Sequence, residues 1–244
     1  MKKLKILNSN VLKIIAMILM LLDHLWATFV PDNQWMTLVG RMAFPIFAFL
    51  IVEGYFHTSD FKKYIKRLLI FGLISEIPFN LIYAGSLIFP FHQNVMFTLA
   101  LGLLIISEID KIKSNKDIKI KVKSIFKILL FLLISIIGFV DYGITGVLTI
   151  LVFYLFRDFK FFWIGQFISL VLLYIVFFKG QSIIINIFNY EYFLPIQAAG
   201  ILSLLFIWLY NGKRGKDSKL IKYSFYCFYP VHMLLIYLIY YFCF

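Results

Sequence analysis

The chain repeats apolar runs of about twenty residues, the length that crosses a hydrocarbon core as a helix. No other feature narrows its possible folds as much. In hydrocarbon no water satisfies a backbone amide, so a spanning segment must close its hydrogen bonds internally, which selects helices. Apolar residues fill 62% of the 244 positions and 15% are charged, against roughly 45–50% and about 25% in soluble domains. The shorter, alternating segments of a membrane β-barrel are not visible. The expectation is an all-α, polytopic membrane bundle forming a single domain over 1–244, with no internal repeat.

Nine spans can be drawn: 11–30, 36–56, 64–84, 94–110, 124–141, 143–157, 160–178, 193–210 and 222–243. The fifth and sixth meet at Gly138-Phe-Val-Asp-Tyr-Gly143, whose glycines and Asp141 mark a tight turn. That pair reads as a hairpin with one member tilted or partly re-entrant. The opening Met-Lys-Lys-Leu-Lys is what a signal peptide would show, but Asp23 and His24 interrupt the first run where a small-residue cleavage site is wanted. A retained first helix is therefore expected.

Charge sets the orientation. With the N-terminus inside, the inner loops carry Lys62, Lys63, Lys66 and Arg67, then Lys111 to Lys127, Arg157 and Lys160, and Lys213 to Lys222, while the outer loops carry only Lys179. The opposite orientation would place nearly every cation outside, so the N-terminus is expected in the cytoplasm and, after nine spans, the C-terminus outside. The net charge of +12 is thus topological; the basic residues fall between spans, and no soluble domain offers a groove to nucleic acid. The low-complexity lysine run from Lys111 reads first as a solvated loop that fixes topology. Cys227 and Cys243, the two cysteines, imply neither a disulfide framework nor a metal site.

Ionisable groups inside a membrane are costly and face the bundle interior, so each is a candidate functional group. Asp23, His24, Arg41, Glu76 and Asn80 fall in the outer halves of the first three spans, with Asn94 and Asp141 near the outer ends of the fourth and fifth. Asp23 and His24 are adjacent and diverge by about 100° around a helix, so one of them is an orienter or a structural partner. A neutral imidazole can take and return a proton near pH 7, which makes His24 the candidate general base; the plainer alternative is hydrogen bonding between helices. Arg41 stands before the helix-kinking Pro45, either lining a cavity or pairing with Asp23 or Glu76. Glu76 and Pro78 repeat that arrangement on the third span. His92 and Asn94 flank Gln93 at an outer helix entrance, facing an acceptor or serving as an N-cap and its lead-in. His232, two residues after Pro230, either lines the same cavity or is a core histidine with a backbone partner. No phosphate-binding glycine loop, paired metal-ligand histidines or nucleophile elbow is present, so no metal is expected.

Several of these stretches together resemble the TraX family: Leu22-Asp-His24, Gly40-Arg-Met-Ala-Phe-Pro45 and on to Glu53-Gly54, Ser75-Glu-Ile-Pro-Phe79, and Asn94-Val-Met-Phe-Thr98. Asp141-Tyr-Gly143, Tyr210-Asn-Gly-Lys-Arg-Gly215 and Tyr229-Pro-Val-His232 extend the resemblance over nearly the whole chain, with 111–140 unmatched. The family's namesake is linked to acetylation of the N-terminus of conjugative pilin, and the family looks like a branch of the transmembrane acyltransferases. The resemblance implies a multi-pass protein of the bacterial cytoplasmic membrane. It would transfer acetyl from cytoplasmic acetyl-CoA to an outer-face acceptor, either an exported peptide or an envelope glycan. Lys63, Arg67, Lys213, Arg214 and Lys222 would hold the CoA phosphates, His24 would deprotonate the acceptor, and Arg41 or Asn80 would steady the oxyanion. His92, Asn94, Asp141 and His232 would meet the acceptor. Membrane lipid is a further partner, and a homo-oligomer is compatible with everything above. An ion-coupled transporter would also suit the buried charges and broken helices, but inverted repeats are not apparent and the polar cluster lies outward of the midplane. A non-catalytic scaffold has no evident need for so many buried ionisable groups.

Overall fold

The helices begin where a short polar side chain can satisfy the orphan amides of a first turn. Asn8, Asp60, Asn94 and Asp117 each accept a hydrogen bond from a backbone N–H two or three residues ahead, as N-caps do. The computed structural model describes residues 5–178, 180–187, 190–216 and 218–243; the lysines of the first four residues and Lys179, expected in an outer loop, lie outside the described residues. From these caps run α1 (Ser9–Thr28), α4 (Phe61–Ala84), α5 (Val95–Ser114) and α6 (Ile118–Ile137). Between α1 and α4, α2 (Gln34–Gly40) and α3 (Ala43–His57) are one rod interrupted at Arg41 and Met42.

The chain continues through α7 (Gly143–Leu155) and α8 (Phe162–Val171), which a π-helical turn, Leu172–Phe177, prolongs. A 3-10 segment, Ile196–Leu202, then runs into α9 (Ser203–Trp208), and α10 (Lys219–Cys243) closes the bundle. If each interrupted rod is taken as one body, the helices coincide with the nine apolar segments of the sequence. Among the described residues three bodies, Ser9–Thr28, Gln34–His57 and Lys219–Cys243, are long and apolar enough to cross a membrane by length and composition. Of the others, α7, α8 with its π turn, and the 3-10 segment with α9 are short, while α4, α5 and α6 carry lysines at one end, joined in α5 by Glu108 and Asp110.

One element departs from the all-α expectation. Strands β1 (Ser182–Ile187) and β2 (Tyr190–Pro195) form an antiparallel hairpin with Ser182 opposite Pro195 and Ile187 opposite Tyr190. The local reason is composition: Ser-Ile-Ile-Ile-Asn-Ile is β-branched and Tyr-Glu-Tyr-Phe is aromatic, both favourable in strands. A search for twenty-residue apolar windows passes over strands of six.

The burial pattern departs from that of a water-soluble fold: around an apolar core that also holds polar side chains, the surface is apolar too. Thr37, Ser75, Asn94, Thr98, Thr149 and Ser203 are fully buried, whereas Leu73, Ile77, Phe126, Leu129, Leu235 and Phe242 are exposed on the outer faces of their helices. Such a girdle is stable in lipid and an aggregation surface in water, so the chain is a membrane protein. α3 runs through the middle, buried from Ala43 through Ile46 and again at Ala48, Leu50 and Glu53, with α1, α5, α7 and α9 packed around it and α10 lying on α1 and α4. The basic residues gather at the end of the bundle where α1 and α10 begin; there Leu7 bridges Tyr210, and the amides of Ser9 and Asn10 donate to the carbonyls of Lys213 and Arg214.

Candidate functional site

Two cavities lie end to end along the bundle. The one toward the less basic end encloses about 490 Å³ and is bordered by Asp23, His24, Arg41, His92, Asp141 and Gln197, among others. The one at the basic end encloses about 520 Å³ and is bordered by Lys13, Glu53, His57, Arg67, Arg214 and Lys222, among others. Phe47 lines both. On α1, Met17 borders the basic cavity and Met20 the other; on α10, Tyr226 and Tyr229 divide in the same way, and on α5 so do Met96 and Val95. Three residues of helix rise about 4.5 Å. The septum between the cavities is therefore one layer of side chains.

In the less basic cavity the helix break supplies the geometry. Gly40 ends α2 against α1: a Cβ there would stand 2.5 Å from Cβ of Asp23, so the absence of a side chain lets the Asp23 carboxylate sit beside Arg41. Arg41 Nη2 lies 3.5 Å from Asp23 Oδ1, and its Nε and Nη2 donate to Thr37 Oγ1 at 3.3 and 3.2 Å. Asp23 Oδ1 is buried within this ion pair but accepts no hydrogen bond. Pro45 cannot donate to the Arg41 carbonyl one turn back, and Gly200 of the 3-10 segment packs against that oxygen.

His24, 8% exposed, leans the other way around α1, toward α10. Its Nδ1 is 2.7 Å from Nε2 of His232, whose Nδ1 donates to the Phe228 carbonyl at 2.7 Å. Tyr83 and Tyr229 flank the His24 ring. Asp23 and His24 thus diverge to different partners on either side of one cavity wall. His232 stands behind His24 rather than on the cavity wall.

The turn between α6 and α7 delivers Asp141. The Gln93 backbone N–H donates to the Phe139 carbonyl and the Gln93 carbonyl accepts from the Asp141 amide, both at 2.8 Å, so Gln93 ties two loops together. Tyr142 follows with φ of +61°, uncommon outside glycine, and stacks on Phe44 at 4.0 Å. Asp141 Oδ1 lies 3.7 Å from His92 Nε2. Its carboxylate lifts His92 above the ordinary imidazole value of 6.5, against the opposing effect of partial burial. With the folded value raised, this contact contributes its full stability below about pH 6.5 and loses it as the pH rises through the raised value. The melting temperature is expected to fall as the pH rises from about 6.5 through that raised value, and the slope to flatten in His92→Gln; an unchanged slope would remove the contact from the stability account.

Three of the sequence candidates serve the scaffold. Glu76 accepts from the Asn94 backbone amide at 2.8 Å and from the Asn94 side-chain amide. Asn94 also donates to the Gly72 carbonyl at 2.8 Å and caps α5 by accepting from Met96 at 3.0 Å. Asn80 donates to the Leu87 carbonyl at 3.3 Å, holding the loop after α4. Asn94→Ala removes a cap and takes the side-chain amide donor from Glu76 and from the Gly72 carbonyl, while Glu76 keeps the backbone amide of residue 94. It is expected to cost about 2–4 kcal/mol, read as lost thermal stability with ligand affinity unchanged.

At the basic end, Arg67 projects between Tyr64 and Tyr226 with its Nε buried and making no hydrogen bond. Arg214 and Lys222 stand with it on the cavity wall. Lys63 and Lys213 lie off that wall: Lys63 is paired with Asp60 at the start of α4, 3.2 Å away, and Lys213 is exposed on the loop before α10. Glu53 is paired with Arg157 at 2.8 Å, which leaves the cavity predominantly cationic. Gln197 is a residue the sequence reading missed. It is 1% exposed, beside Tyr174, and neither end of its amide makes a hydrogen bond of good geometry. Its signal was present, since a lone amide in an apolar segment obeys the same rule as a lone charge.

A helical membrane bundle with a cationic cavity at one end and a histidine-bearing cavity at the other is the class of protein that fold and site define. The family model described as TraX protein matches residues 8–240, and the chain belongs to that family. It is 32% identical to a probable fimbrial assembly protein FimC, serogroup H1, of Dichelobacter nodosus, over 92% of each chain. It is 33% identical to Protein TraX of Escherichia coli over 41% of this chain and 39% of that one. An uncharacterized protein of Rickettsia prowazekii is 29% identical over 38% of this chain and 34% of its own. No solved structure matches.

Proposed function

We propose that this chain is a membrane-embedded acetyltransferase. It moves an acetyl group from cytoplasmic acetyl-CoA to an amine or hydroxyl at the outer face of the bacterial inner membrane. One observation carries it: two cavities of different chemical character, one bordered by Lys13, Arg67, Arg214 and Lys222 and the other by His24, Arg41, Asp23 and Asp141, lie one side-chain layer apart. Lys13 and His24 are eleven residues apart on α1, about 16 Å along the axis. A donor with anionic phosphates at one end and a thioester on a slender arm suits that separation, and the unpartnered Arg67 Nε is a donor such phosphates would satisfy. The reading takes the nine helical bodies as nine crossings with the N-terminus inside, so that the basic end faces the cytoplasm.

In the reaction, the acceptor N–H or O–H gives its proton to His24 as its heteroatom attacks the thioester carbonyl. The Arg41 guanidinium, on the same wall, stabilises the tetrahedral oxyanion. Collapse breaks the C–S bond and expels CoA thiolate, which takes the proton from His24; the products are acetylated acceptor and CoA–SH. Asp23 Oδ1 and Gln197 offer the acceptor unfilled hydrogen-bonding capacity. The names of the relatives support an acceptor connected with fimbriae or pili, such as the N-terminus of an exported subunit, with an envelope glycan the other candidate class.

The same paired cavities would serve an ion-coupled carrier, and one experiment separates the two. Purified protein mixed with acetyl-CoA is expected to bind CoA and release free thiol slowly, by hydrolysis of the thioester, without any acceptor. No binding at about millimolar acetyl-CoA, in protein shown to be folded, would sink the donor assignment and put transport first.

A further inference from the structure

The two imidazoles are coplanar to within 3°, with centroids 4.9 Å apart and a nitrogen–nitrogen distance of 2.7 Å. Stacked rings would face each other; these meet edge to edge, the arrangement of an in-plane N–H···N hydrogen bond. The other nitrogen of His232 settles its direction. A carbonyl oxygen only accepts, so Nδ1 of His232, 2.7 Å from the Phe228 carbonyl, carries a hydrogen. A neutral imidazole has one N–H, which leaves Nε2 of His232 as an acceptor, and Nδ1 of His24 must then be the donor. Among the described residues His232 has no carboxylate partner and lies against the rings of Phe228 and Tyr229, so a second proton on it would be an unpaired charge in an apolar setting.

We propose that His232 is a positioning residue that holds His24 in its Nδ1–H tautomer, leaving the Nε2 lone pair as the basic nitrogen at the outer cavity. Its use in transfer rests on the acetyltransferase reading; the tautomer does not. The logic is that of any base oriented by a third group: the chain runs from the Phe228 carbonyl through His232 to His24. When Nε2 takes the acceptor's proton, the imidazolium keeps its Nδ1–H bond to His232, so no group has to reorient. The sequence alone places His232 over two hundred positions from His24 and offers no sign of the pairing.

The test is the nitrogen NMR spectrum of full-length protein in detergent micelles with 15N-labelled histidine, the His24 signals assigned by comparison with His24→Gln. Wild type is expected to show His24 with a protonated Nδ1 and a bare Nε2. His232→Gln can offer its amide oxygen to the same N–H and is expected to keep both the tautomer and most of the acetyl-CoA turnover. His232→Phe keeps a flat ring without an acceptor; it is expected to shift His24 toward the Nε2–H form and to lower kcat about 10²-fold or more, with KM for acetyl-CoA unchanged. A wild-type His24 already protonated on Nε2, or an unchanged tautomer in His232→Phe, would overturn the proposal. Should His232→Phe not fold, the wild-type spectrum decides alone. The expected tautomers without acetyl-CoA turnover in any form would leave the role of His232 standing and sink the acetyltransferase reading.

Discussion

His24→Ala is expected to lower acetyl transfer by about 10²–10⁴-fold, the usual range for loss of a positioned general base, while acetyl-CoA still binds with its wild-type affinity. The separation of the two effects follows from the geometry. His24 lies beyond the septum of Met17, Met20, Phe47, Tyr226 and Tyr229, and the cations stand on the other side of it. Truncation to alanine leaves Nε2 of His232 without its donor, a cost of about 1–3 kcal/mol that a stable bundle can absorb. Bound CoA counted by equilibrium dialysis and thiol release followed in the same preparation check both halves. Unchanged turnover would remove His24 as the base while keeping the enzyme class. Loss of binding along with turnover would mean that the two cavities are not independent sites.

The helices were legible because lipid imposes one requirement, an internally bonded apolar rod of fixed length, and that requirement is written locally. What lies between rods follows other rules. The β1–β2 hairpin owes its existence to β-branched and aromatic residues over six positions, too few to register in a span-length window. The break at Arg41 and Met42 was half visible: Pro45 announces it, but the close approach of Gly40 to Asp23 is a tertiary fact. The candidate site shows the same division. Depth in the membrane can be read by counting residues, and it did select Asp23, His24, Arg41, His92 and Asp141, which the fold brings to one cavity. Depth says nothing about azimuth. Glu76 and Asn94 share the level of the site yet turn to each other, while Asn80 turns to its own loop. Basic residues near a helix end are equally ambiguous, since the positive-inside rule places Lys63, Lys213 and Arg67 alike, and only the side of the helix on which each falls decides which of them lines the cavity.

Arg67→Gln with Arg214→Gln is expected to raise KM for acetyl-CoA about 10²–10³-fold and to leave kcat within a few-fold. A hydrogen bond to a charged group is worth about 1.5–3 kcal/mol, or roughly 10–100-fold in affinity for each arginine. Arg67 should carry the larger share, because its Nε is buried without a partner and Tyr64 and Tyr226 shield it, whereas Arg214 is exposed at the rim and is screened by salt. The two changes share one ligand and need not add. Phosphate contacts made equally in the ground and transition states alter KM and not kcat, so a fall in kcat alone would point to disturbed positioning of the thioester rather than lost anchoring. Raising the salt concentration should weaken binding to wild type more than to the double variant. Lys119→Gln, a change at an exposed lysine on α6 away from both cavities, is the control for bulk charge. If KM moves equally in that control, the basic end attracts the anion only through its general field; if KM moves in neither, the donor is not held in the basic cavity, and the path from phosphates to His24 has to be abandoned.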